Sequence, residues 1–247
     1  MLKTCCTNTY SHDDNENLIN ITFISDTHEQ HRKITKDLQK GDIIIHTGDF
    51  SNGECDENDM KRIQNFLGWF SKLPYQHKIF IGGNHDFAIK NIDKFNKLLS
   101  KYPGVTYLHQ SSIEIPMKNI TLKFYGIPFI TYLLGWMFYL NDVEQQQCAQ
   151  QIEQCDILLT HDVPYHSQHL QNRINEIQPI IHAYGHMHGH WGICQKNGVT
   201  YVNGAQMGFP GHSYIYKPIR IHITQDKTVI LPNQEKIKIW EDFPIKK

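Results

Sequence analysis

Five short segments bearing histidine and aspartate recur along the 247-residue chain: Asp26-Thr27-His28, Gly48-Asp49, Gly83-Asn84-His85-Asp86, Thr160-His161-Asp162 and Gly185-His186-Met187-His188. Together they can supply ligands for two divalent cations. The mixture of imidazole, carboxylate and amide oxygen suits Mn, Fe, Zn or Ni and excludes thiolate-loving ions. A lone histidine after a strand is more often a hydrogen-bonded loop residue than a ligand, but five such segments in series point to one shared site. Two cations about 3.5–4 Å apart can clamp both the attacking and the leaving oxygens of a phosphoryl centre, provided a ligand bridges them and offsets their repulsion.

Each segment follows an apolar, β-branched run of the kind that forms a buried strand. Every candidate ligand therefore falls at a strand's C-terminal end, where open α/β sheets bind their ligands. The pattern predicts strands at Ile19–Ser25, Asp42–His46, Lys78–Ile81, Val105–Leu108, Thr121–Tyr125, Asp156–Thr160, Ile180–Tyr184, Thr200–Val202 and Ile219–Thr224. Helical periodicity falls at Glu57–Ser71, Ala88–Ser100, Val143–Gln154 and Ser167–Glu176. This order suggests two sheets packed face to face with helices outside. The glycines before Asp49, Asn84 and His186 fit loops that need φ > 0 or a close backbone approach. His186 and His188 would point to opposite faces if extended, so their loop must curl, a spacing that serves two metals better than one.

The pattern D-x-H, G-D, G-N-H-D, H and G-H-x-H resembles the calcineurin-like metallophosphoesterases. Phe23–His28, Leu122–Pro128 and Asp156–Pro164 look like its small metallophosphoesterase-domain branch, and the likeness covers roughly Ile19 to Ile223. Asp86 stands where that branch often has Glu. The resemblance implies an αββα sandwich, four layers of two mixed β-sheets flanked by helices. It also implies two metal ions, Mn favoured for activity, with Asp49 as the bridge. Asp26, His28 and His188 would complete one metal position and Asn84, His161 and His186 the other. In the family the histidine matching His85 faces the scissile phosphate, where it can stabilise the transition state and protonate the leaving oxygen. Asp86 and Asp162, beside ligands, are expected to orient imidazoles.

With hydrophobic residues at 40%, charged residues at 20% and a formal net charge of −1, the chain reads as one domain with no general attraction to nucleic acid or anionic membrane. Residues 1–17 read as a disordered tail, 18–224 as the domain and 225–247 as an extension packing on it. No apolar stretch is long enough to span a membrane, and no signal peptide is evident, so a cytoplasmic location is expected. The six cysteines, Cys5, Cys6, Cys55, Cys148, Cys155 and Cys194, show no metal or disulfide spacing and read as free thiols, with palmitoylation at Cys5-Cys6 a weak alternative. The N-x-T sequons at Asn20 and Asn119 read as strand residues. His46 and His182, inside apolar runs, read as core histidines. His190 and His212, in Gly-rich loops, are candidates to touch substrate. The aromatic run Phe129–Leu140 is expected to pack into the core; the alternative is that Trp136, Phe138 or Tyr139 walls the metals and stacks on a nucleotide base.

The expected function is hydrolysis of phosphodiesters such as cyclic nucleotides, by in-line attack of a metal-bridging hydroxide. The diester preference comes from the branch resemblance, since the ligands do not distinguish diester from monoester. A phosphomonoesterase or protein Ser/Thr phosphatase of the same superfamily is the nearest alternative, although Phe87-Ala88-Ile89-Lys90-Asn91 lacks the arginines that would grip a dianionic phosphate. A nuclease is disfavoured by the neutral charge, and a scaffold without turnover by the filled ligand positions. The expected partner is a small phosphoester or nucleotide substrate, without stable nucleic-acid binding; the sequence leaves oligomeric state open.

Overall fold

A computed structural model describes residues 17–53, 58–208, 213–231 and 237–243. Along the chain run β1 (Ile19–Ile24), α1 (His31–Ile34), β2 (Gly41–His46), α2 (Asp59–Phe70), β3 (Tyr75–Phe80), α3 (Ile92–Leu99), β4 (Val105–Tyr107), β5 (Ser111–Met117) and β6 (Ile120–Ile127). Then follow α4 (Asp142–Gln151), β7 (Ile157–Thr160), α5 (Gln168–Ile177), β8 (Ile181–Tyr184), β9 (Gly192–Lys196), β10 (Val199–Asn203), β11 (Ile219–Ile223), β12 (Val229–Ile230) and β13 (Ile239–Trp240). The strands form two mixed sheets, ordered β12-β11-β1-β2-β3-β4 and β13-β9-β10-β8-β7-β6-β5.

Side chains alternate across a strand, so a run such as Ile43-Ile44-Ile45 must bury both faces. It does: Ile43 and Ile45 join Ile21, Phe23, Leu159 and Ile181 in the core between the sheets, while Ile44 packs beneath Ile63, Phe66 and Phe70 of α2. On the outer face of the second sheet, Leu158 and Tyr184 meet Cys148 of α4 and Leu170, Ile174 and Ile177 of α5. The result is the four-layer αββα sandwich. Its helices begin where local chemistry favours them. Asn141 and Glu144 form a capping box on α4, and the Ser167 side chain accepts from Leu170 N at the start of α5.

Four strands lie outside the ranges expected from the apolar pattern. β5 carries Pro116 and forms the edge of the second sheet, where a residue without N–H costs no ladder bond. It is joined to β6 by Lys118-Asn119, both with positive φ (47° and 69°), the backbone of a tight hairpin turn, so the Asn119 sequon lies in that turn. β9 opens on Gly192 at φ 133°, with Lys238 O only 2.2 Å from where a Cβ would stand. The short β12 and β13 give the segment after Ile223 an edge position in each sheet. At the C-terminal end Phe243 lies edge-on to Tyr201 and Lys196 pairs with Asp242. The sequence assigns Ala88–Ser100 to one helix; the structure has a 3-10 turn at Phe87–Lys90 and starts α3 at Ile92, with the Asn91 side chain capping it.

His46 and His182 are fully buried, their Nε2 atoms 2.9 Å from Thr27 Oγ1 and 2.8 Å from Thr160 Oγ1. Burial pushes the His182 imidazole down to about 3. Below the ordinary value near 6.5 the unfolded chain therefore binds a proton that the folded chain refuses. Stability from this residue is complete above pH about 6.5 and is lost as pH falls toward 3. Urea titrations between pH 7.5 and 4.5 should show the wild type losing up to about 1.4 kcal/mol per pH unit more than His182→Gln. Parallel slopes would remove His182 from the acid response. Cys148, Cys155 and Cys194 are free and buried, while Cys5, Cys6, Cys55 and residues 1–16 lie outside the described residues. No helix among the described residues is long and apolar enough to cross a membrane.

Candidate metal centre

β1, β2 and β3 run parallel in one sheet and β7 and β8 in the other. Their C-terminal loops carry the five segments, and these meet where the two sheets abut. Asp26 N donates to Gly48 O and His28 N to Asp49 O, so the first two loops are knitted together; Gly185 N donates to His161 O on the other side. Asp26 Oδ2 accepts from His186 N at 3.0 Å, joining the sheets at the site itself.

Four residues of this constellation hold left-handed backbone: Asp26 (φ 50°), His28 (φ 39°), Asp49 (φ 58°) and His186 (φ 63°). Such conformations cost on the order of 1 kcal/mol or more apiece and persist where the surroundings over-determine them, characteristically at functional sites.

Three imidazoles share one anchoring device. His161 Nδ1 lies 2.7 Å from Thr47 O, His28 Nδ1 3.2 Å from Ser51 O and His85 Nδ1 3.0 Å from Asn52 O. A carbonyl only accepts, so each Nδ1 carries a proton and each Nε2 is left facing the site, where it can give a lone pair to a cation once it is free of a proton of its own. Those Nε2 atoms gather around Asp49, whose Oδ2 is 3.2 Å from His161, 4.0 Å from His28 and 4.0 Å from His85. Asp49 Oδ1 accepts the His85 N–H at 2.8 Å.

Two groups of candidate ligands result. Asp26, His28 and His188 converge within 4.8 Å, with His188 Nε2 3.2 Å from both Asp26 Oδ1 and His28 Nε2. Asp49, His161 and His186 converge likewise, and Asn84 Oδ1 sits 3.1 Å from His161 Nε2 and 3.0 Å from His186 Nδ1. His85 joins His28 and Asp49 in a third, overlapping group.

The electrostatics suit cations. Burial raises the Asp49 and Asp26 carboxyls, but His161 beside the first and His188 beside the second outweigh it and hold both below the usual carboxylate range. Burial alone would lower His161; the Asp49 carboxylate pushes it up to about 10. His28 goes the other way, burial taking it down to about 4, which leaves a neutral ring of the kind a metal needs. Nitrogen and oxygen donors, with no thiolate among the described residues, aimed inward and buried, fit a pair of divalent cations.

The preceding glycines act through space more than through φ. Only Gly48 is left-handed, at φ 103°. A Cβ on Gly83 would stand 2.3 Å from Asp49 Oδ1, and one on Gly185 2.2 Å from Asp26 Oδ2 and 2.1 Å from Ser25 Oγ. Gly185→Ala is accordingly expected to displace the Asp26 carboxylate and cut bound metal from two equivalents toward one. Overpacking of this kind costs about 1–3 kcal/mol, so a lower melting temperature should accompany the loss. Full metal content in the folded variant would show that Asp26 is not a ligand.

Among the described residues Asp86 takes its hydrogen bonds from amides and a hydroxyl, where its position beside Asn84-His85 suggested an imidazole. Its carboxylate accepts from the amides of Gly83 (2.8 Å), Asp49 (2.9 Å) and Ser51 (3.0 Å) and from Ser51 Oγ (3.0 Å), so it cinches the β2 and β3 loops together. Burial, with Asp49 adding to it, pushes this carboxyl up to about 8. Asp162 accepts from Thr131 N (3.0 Å), Thr131 Oγ1 (2.7 Å) and His166 Nδ1 (2.8 Å), and its Oδ1 stands 4.0 Å from His186 Nε2.

The aromatic run divides. Phe129 and Ile130 are core, whereas Tyr132 and Leu134 are exposed, which corrects the expectation that the whole run packs inward. A turn beginning and ending at the Ile130–Tyr139 bridge carries Trp136 to the His85 ring, with centroids 4.6 Å apart, and the residue remains 37% exposed. Phe138 instead covers Gly82. His190 is buried, its Nδ1 against the Tyr165 hydroxyl and its ring near Trp240. His212 lies outside the described residues. Sequence reading missed Ser51, Asn52 and Thr47, which act through backbone carbonyls that no side-chain motif advertises. It also passed over His166, whose signal was only its spacing of four from Asp162.

The chain has recognisable relatives among known proteins. The family model described as calcineurin-like phosphoesterase matches residues 19–202. A UPF0046 protein of Caenorhabditis elegans is 27% identical over 230 residues, covering 83% of this chain and 75% of that protein. Metallophosphoesterase domain-containing protein 1 of Homo sapiens is 27% identical over 215 residues, covering 74% of this chain and 64% of that protein. Among solved structures, TT1561 of Thermus thermophilus superposes with a TM-score of 0.60 at 12% identity, covering 87% of this chain and 99% of that one. A phosphatase from Mycoplasma pneumoniae superposes with a TM-score of 0.54 at 11% identity, covering 87% and 92%. At such identities the structural likeness speaks for the fold alone.

Proposed function

Because the chain belongs to the calcineurin-like phosphoesterase family, and so to a class of metal-dependent phosphoric ester hydrolases, we propose that it hydrolyses phosphodiesters, with cyclic nucleotides as the favoured class. The observation that carries this reading is the pair of converging groups, Asp26/His28/His188 and Asp49/His161/His186, with Asp49 Oδ2 between them. Asp49 would bridge two cations, Mn favoured, and Asn84 would add its amide oxygen to the second. When bound, such a pair lowers the pKa of water and neutralises phosphoryl charge.

The chain's own residues supply the rest. Thr47, Ser51 and Asn52 fix the tautomers of His161, His28 and His85. His85, its side chain 22% exposed where the ligand candidates are nearly closed off, stands ready to donate Nε2–H to a leaving oxygen when protonated. Trp136 offers a face beside His85 on which a base can stack. A diester presents one negative charge fewer than a monoester, and the segment Phe87–Asn91 after the third loop brings no arginine to grip a dianion.

Metal analysis after reconstitution should approach two equivalents. With Mn²⁺ added, a panel of 2′,3′- and 3′,5′-cyclic nucleotides, bis-p-nitrophenyl phosphate and p-nitrophenyl phosphate should give higher kcat/KM for the diesters. A higher value for p-nitrophenyl phosphate than for its bis ester makes the protein a phosphomonoesterase. Saturation at one metal ends the paired-metal reading, and two metals without turnover of any probe mark a scaffold.

A further inference from the structure

Beside the metal loops lies a cavity of about 940 Å³ that the proposed hydrolysis does not use. It is walled by the segment after α1 (Lys36, Asp37, Gln39), the approach to β11 (Ile215–Pro218), Arg220, and Ile237-Lys238. Gly189, next to the candidate ligand His188, also borders it, so the cavity shares a wall with the centre.

Its charge is one-sided. Among the described residues, four cations, Lys36, Lys217, Arg220 and Lys238, face one carboxylate, Asp37, in a chain of net charge −1. That carboxylate is already committed to Lys217 Nζ at 3.1 Å and to the Tyr214 hydroxyl at 2.7 Å. Among the described residues, Lys36, Arg220 and Lys238 have no carboxylate within ion-pair distance. Lys238 lies over the Trp240 ring, and one Arg220 nitrogen donates to Gln39 Oε1. Arg220 Nε is buried with no hydrogen-bond partner. A guanidinium with an unsatisfied N–H is left with donor capacity that its protein neighbours do not use.

One wall is aromatic. Trp191 and Tyr216 stack at 5.0 Å with 10° between planes, and Trp191 Nε1 donates to Lys217 O, which fixes the lysine-bearing segment against the indole. Nearly all of Trp191 is buried, whereas Tyr216 is half-buried and keeps surface toward the cavity. The volume is in the range of small-molecule sites.

We propose that this cavity binds an oligophosphate, free or carried on a nucleoside, at a site separate from the metal centre. Arg220 and Lys36 hold phosphate oxygens, Lys238 adds charge from the C-terminal segment, and Tyr216 gives a nucleoside a surface to lie on. Two or more linked phosphates suit three cations without a carboxylate partner better than one does.

The test is calorimetric titration of the metal-loaded full chain with tripolyphosphate and with ADP, each premixed with Mg²⁺ so that chelation does not strip the centre. Both the wild type and Asp49→Asn should bind at least one probe, since the site does not need the metals. Combined Lys36→Gln, Arg220→Gln and Lys238→Gln substitution should weaken that binding about tenfold or more and lower its salt dependence, while bis-p-nitrophenyl phosphate is hydrolysed at the wild-type rate. Lys36→Glu alone, at a position outside the core, gives a second reading that does not depend on the triple variant folding. Tighter binding of ADP, reduced selectively by Tyr216→Leu, identifies a nucleotide; equal or tighter binding of tripolyphosphate identifies the free anion. Binding lost in Asp49→Asn and untouched by the cavity substitutions would overturn the proposal, as would binding of neither probe.

Discussion

Asparagine in place of Asp49 is expected to lower kcat/KM on the best diester by on the order of 10³-fold or more, at least the loss typical of removing one charge-stabilising group from an active site. The substitution is unusually clean. Oδ1 keeps its role as acceptor of the His85 N–H at 2.8 Å, so the loops should stay in place. What changes is the other atom: the oxygen 3.2 Å from His161 Nε2 and 4.0 Å from His28 Nε2 becomes an uncharged NH₂ that can hold no cation. Measured together, metal content should fall below two equivalents and rate should fall with it. Near-normal turnover would assign the bridge to another residue. His161→Ala should behave similarly through loss of one metal, its Nε2 lying 3.2 Å from Asp49 Oδ2 and 3.1 Å from Asn84 Oδ1.

His85→Ala should have the opposite signature, with both metals kept and rate lost. The backbone N–H to Asp49 survives in alanine, and only the ring, hung from Asn52 O, disappears. General-acid assistance is worth about 10²–10⁴-fold when the leaving group is an alkoxide, and much less when it is p-nitrophenolate, which departs without a proton. A nucleotide diester should therefore suffer far more than a p-nitrophenyl ester. Equal losses accompanied by missing metal would make His85 a ligand, a role its place in a converging group with His28 and Asp49 permits on distance alone.

The constellation was legible because its parts are side chains at the ends of strands that announce themselves. Phe23-Ile24-Ser25 and Ile43-Ile44-Ile45 cannot be surface segments, so whatever follows them must lie at a sheet edge. What stayed hidden was made of backbone or of weak pattern. Asp86 reads like a neighbour of a ligand, yet its work is to collect amides from Gly83, Asp49 and Ser51, a job set by loop geometry with no sequence spacing of its own. β5 was lost because Pro116 argues against a strand unless the strand is an edge, and edges are assigned by topology. β12 and β13, two residues each, are too short for any periodicity. The run Phe129–Leu140 has uniform composition and a divided fate, because its base continues the packing of β6 while its tip follows a turn that composition does not encode.

The pairing of β1 with β11 bears on how such a molecule comes into being. Ile19 lies opposite Ile223 and Phe23 opposite Ile219, so the strand that leads into Asp26 acquires one of its two neighbours only after some two hundred further residues have been made. Closing so long a loop costs entropy before any contact repays it, and non-local pairings of this kind slow folding. During synthesis β1 can pair with β2 early but must wait, with its outer edge open, until Ile219–Ile223 clears the ribosome. The first loop of the centre is then among the earliest segments translated and among the last to be locked, and an open edge held that long is the place where a nascent chain of this family is most exposed to mispairing.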